Sequence, residues 1–67
     1  MIGKPGEVWV LGTNDFVGEW YYILIERDRG FRGNMWRAMR LQDIANVHTA
    51  GTIGQLNLDS INVRKFT

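Results

Sequence analysis

Three short runs with the composition of β-strands constrain this chain more than any other feature: Glu7 to Leu11, Trp20 to Ile25 and Gln55 to Val63. Each is rich in valine, isoleucine, leucine or aromatic residues, and glycine-bearing stretches separate them. Short apolar runs joined by turns imply an antiparallel sheet. In a chain of 67 residues such a sheet must curl to cover its own apolar side. The length allows one small domain spanning residues 1–67.

Composition narrows the setting. Hydrophobic residues make up 45% of the chain, a globular rather than a disordered proportion. There is no cysteine, so neither a disulfide nor a thiolate zinc site can staple the fold. Small scaffolds without staples lean on a partner or on a second copy. The lack of cysteine also fits a cytoplasmic or virion setting. The apolar run from Trp20 to Ile25 falls far short of the roughly 20 residues that span a bilayer. No basic segment precedes an apolar run near Met1, so the expectation is a protein that is neither secreted nor membrane-bound.

A net charge of +1 conceals a segregation. Five arginines lie between Arg27 and Arg40 against Asp28 alone, a local excess of +4 over 14 residues. All these cations are arginine, which grips carboxylate or phosphate through two parallel hydrogen bonds and stacks on aromatic rings.

Along the chain, Lys4-Pro5-Gly6 reads as a turn and Val8 to Leu11 as a strand that is apolar on both faces. The stretch from Gly12 to Gly18 is a loop from which Phe16 and Val17 are expected to fold back onto the core. In the next strand, alternation sets Tyr21, Ile23 and Ile25 on one face and Trp20, Tyr22 and Leu24 on the other. The isoleucines mark the first face as core, which leaves Trp20 and Tyr22 needing a cover or a partner. Asp28 to Asn34 is a hairpin loop. Met35 to Leu41 reads as a strand with Trp36, Ala38 and Arg40 on one face, or as part of a helix over about 35–46 capped by Asn34. The strand is preferred because it follows a hairpin loop in a short chain. Asp43 to His48 has no clear pattern. Thr49 to Gly54 is a turn, Leu56 and Leu58 point inward, Asp59-Ser60 begins a single helical turn, and Ile61, Val63 and Phe66 form a last strand.

This order of elements, from the Pro5-Gly6-Glu7-Val8-Trp9-Val10 opening through the Met35-Trp36-Arg37 strand to the turn at Asp59-Ser60-Ile61, resembles the Src-homology-3-like small barrels. The resemblance implies an all-β, five-stranded barrel, with an α+β domain as the alternative if the segment after Asn34 is helical. That group holds peptide-binding domains, nucleic-acid modules and small viral and phage proteins. The opening strand is also similar to that of the plasmid-addiction ribonuclease toxins of the PemK/Kid group. The chain is much shorter than those toxins and lacks their Arg-Pro segment after the first loop, so no catalytic residue carries over.

No pattern points to catalysis. His48 is the single histidine and lies in a turn-like stretch without an evident partner. Glu26 and Asp28 are spaced for one face, but flanking Arg27 and Arg29 make them ion-pairing residues. Ser60 does not sit in a nucleophile elbow. No catalytic, metal-binding or cofactor-binding residue is assigned, and no small-molecule substrate is expected. Partner binding is assigned to Trp20, Tyr22, Arg29, Arg32, Trp36, Arg37 and Arg40, since tryptophan, tyrosine and arginine are the usual anchors of interfaces. The expected function is a non-enzymatic interaction or structural module. It would be a subunit of a larger assembly such as a phage or viral accessory protein, held by a protein partner or by its own copies. The alternatives are a barrel whose Arg27–Arg40 patch binds nucleic acid, and a small inhibitor of a host protein.

Overall fold

The computed structural model describes residues 2–12, 19–43 and 48–66. Five antiparallel strands form one sheet: β1 (Val8–Gly12), β2 (Glu19–Arg27), β3 (Met35–Arg40), β4 (Ile53–Asn57) and β5 (Val63–Lys65). Their spatial order is β4-β3-β2-β1-β5, so the meander β1 to β4 is extended by a last strand that returns to pair with β1, leaving β4 and β5 at the two edges. The protein is all-β, and Met35–Arg40 is a strand, as preferred over the helix. The expected return of Phe16 and Val17 and most of the segment after Asp43 lie outside the described residues.

Local chemistry explains the turns. Pro5 and Gly6 occupy the centre of a turn closed by Glu7 N–H donating to the Lys4 carbonyl at 3.2 Å. Gly6 has φ +89°, which the third position of this turn requires and which side chains resist. Between β4 and β5, Ser60 N–H donates to the Asn57 carbonyl and Val63 N–H to the Ser60 carbonyl. These two successive turns replace the expected helical turn. They also carry Ile61 outward to 98% exposure, so this residue is not part of the last strand. The β4 strand begins at Ile53, two residues before the expected start, because Ile53 and Gly54 pair with Met39 and Ala38.

The core holds Trp9, Tyr22, Leu24, Trp36, Ala38, Leu56, Leu58 and Val63, with Leu11 and Trp20 packed against it. Burial of a side chain such as Leu24 stabilises the fold by about 1.5–3 kcal/mol. This inverts the expected facing of β2. Trp20, Tyr22 and Leu24 point into the core, whereas Ile25 is 40% exposed and Tyr21 and Ile23 are half-buried on the opposite side. Register decides the matter. Tyr22 lies opposite Trp9 of β1 and Arg40 of β3, and Leu24 lies opposite Ala38, so the even-numbered residues of β2 share the face of the largest buried groups. A register shift between Leu24 and Glu26 then takes Ile25 out of the alternation.

Candidate interaction surface

Cross-strand register brings together residues that are distant in sequence. On the face opposite the core, Ile53 lies beside Met39, Met39 beside Ile23, and Ile23 beside Val8. Phe66 N–H donates to the Val8 carbonyl at 2.8 Å and extends the row past β5. A single apolar row therefore crosses β1 to β4 and ends on Phe66, the residue after β5. Its ends are open, with Ile53 47% and Phe66 57% exposed, and Val8, Ile23 and Met39 between them are half-buried. Leu41 lies next to Tyr21 in the adjacent row and is also exposed.

The same face contains a small roof. The rings of Tyr21 and Phe66 meet edge-to-face with centroids 5.2 Å apart. Tyr21 comes from β2 and Phe66 follows β5, so their rings reach over the intervening β1. Val10 of β1, paired with Tyr21 on one side and Arg64 on the other, has no exposure although it is not part of the main core cluster. The opening strand is apolar on both faces, as the sequence implies. Trp9 serves the core and Val10 serves the roof.

Arginine is distributed around β3. Arg37 is exposed and pairs with Glu26 across β2 at 3.1 Å. Arg27 donates through Nη2 to the Gly33 carbonyl inside the hairpin loop. Arg40 lies on the core side of β3, donating through Nη1 to Thr52 Oγ1 at 3.0 Å. Its Nε is buried without a hydrogen-bond partner. Arg29 and Arg32 sit exposed in the loop, with no carboxylate in ion-pairing distance among the described residues. Two open clefts follow from this arrangement. One, of about 440 Å³, is lined by Glu26, Arg27, Asp28, Arg29, Gly30 and Arg37. The other, of about 330 Å³, runs along β4 and is lined by Asp28, Arg37, Ile53, Gly54 and Gln55.

Of the residues assigned to partner binding, Arg29, Arg32 and Arg37 are exposed and Arg40 is half-buried. Tyr22 and Trp36 are core residues, 5% and 3% exposed, and Trp20 packs against the core. The two buried rings are covered by their core neighbours and present no surface to a partner. The apolar row was missed because its members come from separate strands. The available signal was the isoleucine face of β2 itself, read as core.

Two carboxylates are held firmly. Glu7 accepts hydrogen bonds from Trp9 Nε1 at 3.2 Å and from the backbone N–H of Lys4 at 2.8 Å, and it pairs with Lys65 at 2.9 Å. Lys65 first, and the other two donors after it, hold the Glu7 carboxyl below its usual pKa against the opposing effect of desolvation. Glu19 is lowered likewise, chiefly by Arg64 at 2.9 Å. Both pairs tie β5 and its neighbour into the sheet. They leave the carboxylates ionised acceptors rather than proton donors at neutral pH.

Among the described residues, no group of three or more His, Asp or Glu side chains is placed to hold a metal ion. His48 is exposed. Among the described residues no helix is long and apolar enough to cross a membrane. The chain matches no protein-family model, no curated protein and no solved structure at a significant level.

Proposed function

We propose that this chain is a non-catalytic interaction module, a Src-homology-3-like barrel that works as a small subunit of a larger assembly. The strand order β4-β3-β2-β1-β5, with the last strand returning to the first, supports the barrel reading. The observation that carries the functional reading is the apolar row Ile53–Met39–Ile23–Val8–Phe66 on the face opposite the core. A sheet that has satisfied its core on one side gains little for its own fold by presenting isoleucine and leucine to water on the other. Contiguous exposed apolar surface of this kind marks a contact site. The exposed arginines Arg29, Arg32 and Arg37 form a polar rim suited to acidic groups on the partner. By fold-level analogy and size, the class of assembly we favour is a phage or viral particle, with this chain as an accessory protein.

A second reading, binding of single-stranded nucleic acid, is favoured by Arg29 and Arg32, which have no carboxylate in ion-pairing distance among the described residues. It is opposed by Glu26 and Asp28, which line the same cleft as Arg27 and Arg29 and repel phosphate. It also loses two of the stacking rings it would use, because Tyr22 and Trp36 are in the core, and keeps Phe31, which is 48% exposed between Arg29 and Arg32. Fluorescence anisotropy of a labelled mixed-sequence single-stranded oligonucleotide separates the two. The interaction-module reading predicts no binding at low or moderate salt. A complex whose affinity falls steeply with salt, and which Arg29→Gln with Arg32→Gln abolishes, would replace it.

A further inference from the structure

The two edges of the sheet are unlike. The β5 edge is three residues long and carries Arg64 and Lys65, paired with Glu19 and Glu7. Short length and charge are the usual means of discouraging strand addition. The β4 edge, Ile53-Gly54-Gln55-Leu56-Asn57, has no charge and no proline. Its hydrogen-bonding phase is fixed at both ends. Leu58 N–H donates to the Asn34 carbonyl and Arg40 N–H to the Thr52 carbonyl. Antiparallel alternation then directs the backbone groups of Leu56 and Gly54 toward β3 and those of Ile53, Gln55 and Asn57 outward.

An arginine of β3 lies on each side of this edge. On the outer side Arg37 lines the 330 Å³ cleft together with Asp28, Ile53, Gly54 and Gln55, but it is already paired with Glu26 at 3.1 Å, and Asp28 accepts a hydrogen bond from Gln55 Nε2 at 3.0 Å. On the core side the Arg40 guanidinium lies directly on Gly54; a Cβ there would stand 2.6 Å from Arg40 Cζ. The missing side chain lets Arg40 reach across β4 toward its open edge. We propose that the β4 edge takes an extended, acidic segment of a partner protein by strand addition. The segment's backbone would pair with Ile53, Gln55 and Asn57, and its carboxylates would meet Arg40, which has no carboxylate in ion-pairing distance among the described residues.

Charge selects this occupant. A second copy paired through the same edge would bring the two β3 strands to about 14 Å, three strand spacings. The two Arg40 guanidinium groups, neither with a carboxylate in ion-pairing distance among the described residues, would then lie on the same side of the joined sheet. A nucleic acid would satisfy the arginines but not the outward backbone groups. An acidic strand satisfies both.

The inference rests on the interaction-module reading and is tested separately from it. The probe is a synthetic peptide of about nine residues alternating glutamate and valine, long enough to cover one edge strand, beside its lysine-for-glutamate counterpart. The readout is backbone amide exchange and chemical shift in the labelled full chain. The acidic peptide should slow exchange at Ile53, Gln55 and Asn57, and the lysine peptide should not. Arg40→Gln should weaken binding about threefold, the scale of an exposed charge pair, and Arg37→Gln, on the opposite face and paired with Glu26, should leave it unchanged. Gln55→Pro should abolish binding, because it removes an outward N–H at a position where an edge strand tolerates proline. If Gln55→Pro fails to fold, Arg40→Glu replaces it. Lack of protection at β4 with the acidic peptide overturns the inference. So does protection of the same amides by self-association without peptide. Shifts confined to Ile23 and Met39 overturn the edge site and leave the interaction module standing, whereas salt-sensitive oligonucleotide binding overturns the module itself.

Discussion

The guanidinium of Arg40 rests on the bare backbone of Gly54, so a glycine in β4 determines where a cation of β3 is placed. Gly54→Ala would force the guanidinium aside. The atoms in the way are the far end of a flexible side chain, so the expected change in stability is below about 1 kcal/mol, partly offset by the better strand propensity of alanine. Gly3 offers the opposite case. It has φ +91°, and a Cβ there would lie 2.7 Å from Leu58 Cδ1 and 3.0 Å from the Trp36 ring, both core side chains. Gly3→Ala is expected to cost about 2–3 kcal/mol, from overpacking and a positive φ together. Urea denaturation of the two variants should show this difference, and equal losses would contradict it.

The inverted facing of β2 gives a second prediction. Leu24→Ala should cost about 2–5 kcal/mol, because Leu24 is 2% exposed among core side chains. Ile61→Ser should change stability by less than about 0.5 kcal/mol, because Ile61 is 98% exposed in a turn. Thermal melts of both variants check this. A large loss at Ile61 would return it to the last strand.

The facing error shows what was legible in the sequence and what was not. Apolar alternation was enough to find β1, β2 and β3, to prefer strand over helix at Met35–Arg40, and to place Leu56 and Leu58 inward. It could not choose between two faces of β2 that are both apolar. The choice depends on which face meets Trp9 and Ala38, a matter of register with β1 and β3, and on the register shift that displaces Ile25. The arginine excess was plain in the sequence. Its division was not, because the pairing of Arg37 with Glu26 and the resting place of Arg40 on Gly54 are long-range contacts.

The Tyr21–Phe66 roof should behave as a coupled unit. Phe66→Ala opens Val10 to solvent and should cost about 1 kcal/mol. A double-mutant cycle with Tyr21→Ala should return a coupling of about 0.5–1.5 kcal/mol, the range for edge-to-face aromatic pairs. Additive losses would mean that the rings do not hold one another.

Acid should weaken the fold through Glu7 and Glu19. Both carboxyls titrate lower in the folded protein than in the unfolded chain. The unfolded state therefore binds more protons across that interval, and stability rises with pH through it. The contribution is complete above the unfolded carboxylate pKa of about 4.3 and is lost as pH falls through the folded values. Glu7→Gln should flatten the stability profile below about pH 4.5 while leaving the Glu19–Arg64 share. An unchanged profile would contradict the Lys65 pairing.

The central claim is that the apolar outer face serves contact rather than folding, and its most direct test is the stability of a protein stripped of that face. In the triple variant Ile25→Thr, Leu41→Gln, Ile53→Thr, all three altered residues are 40–47% exposed in the parent. Equilibrium urea unfolding should place this variant within about 1 kcal/mol of the parent, as expected for surface changes away from the core. A loss of more than about 3 kcal/mol, the scale of a core truncation, would show that these exposed side chains belong to a second core and would contradict the interaction reading.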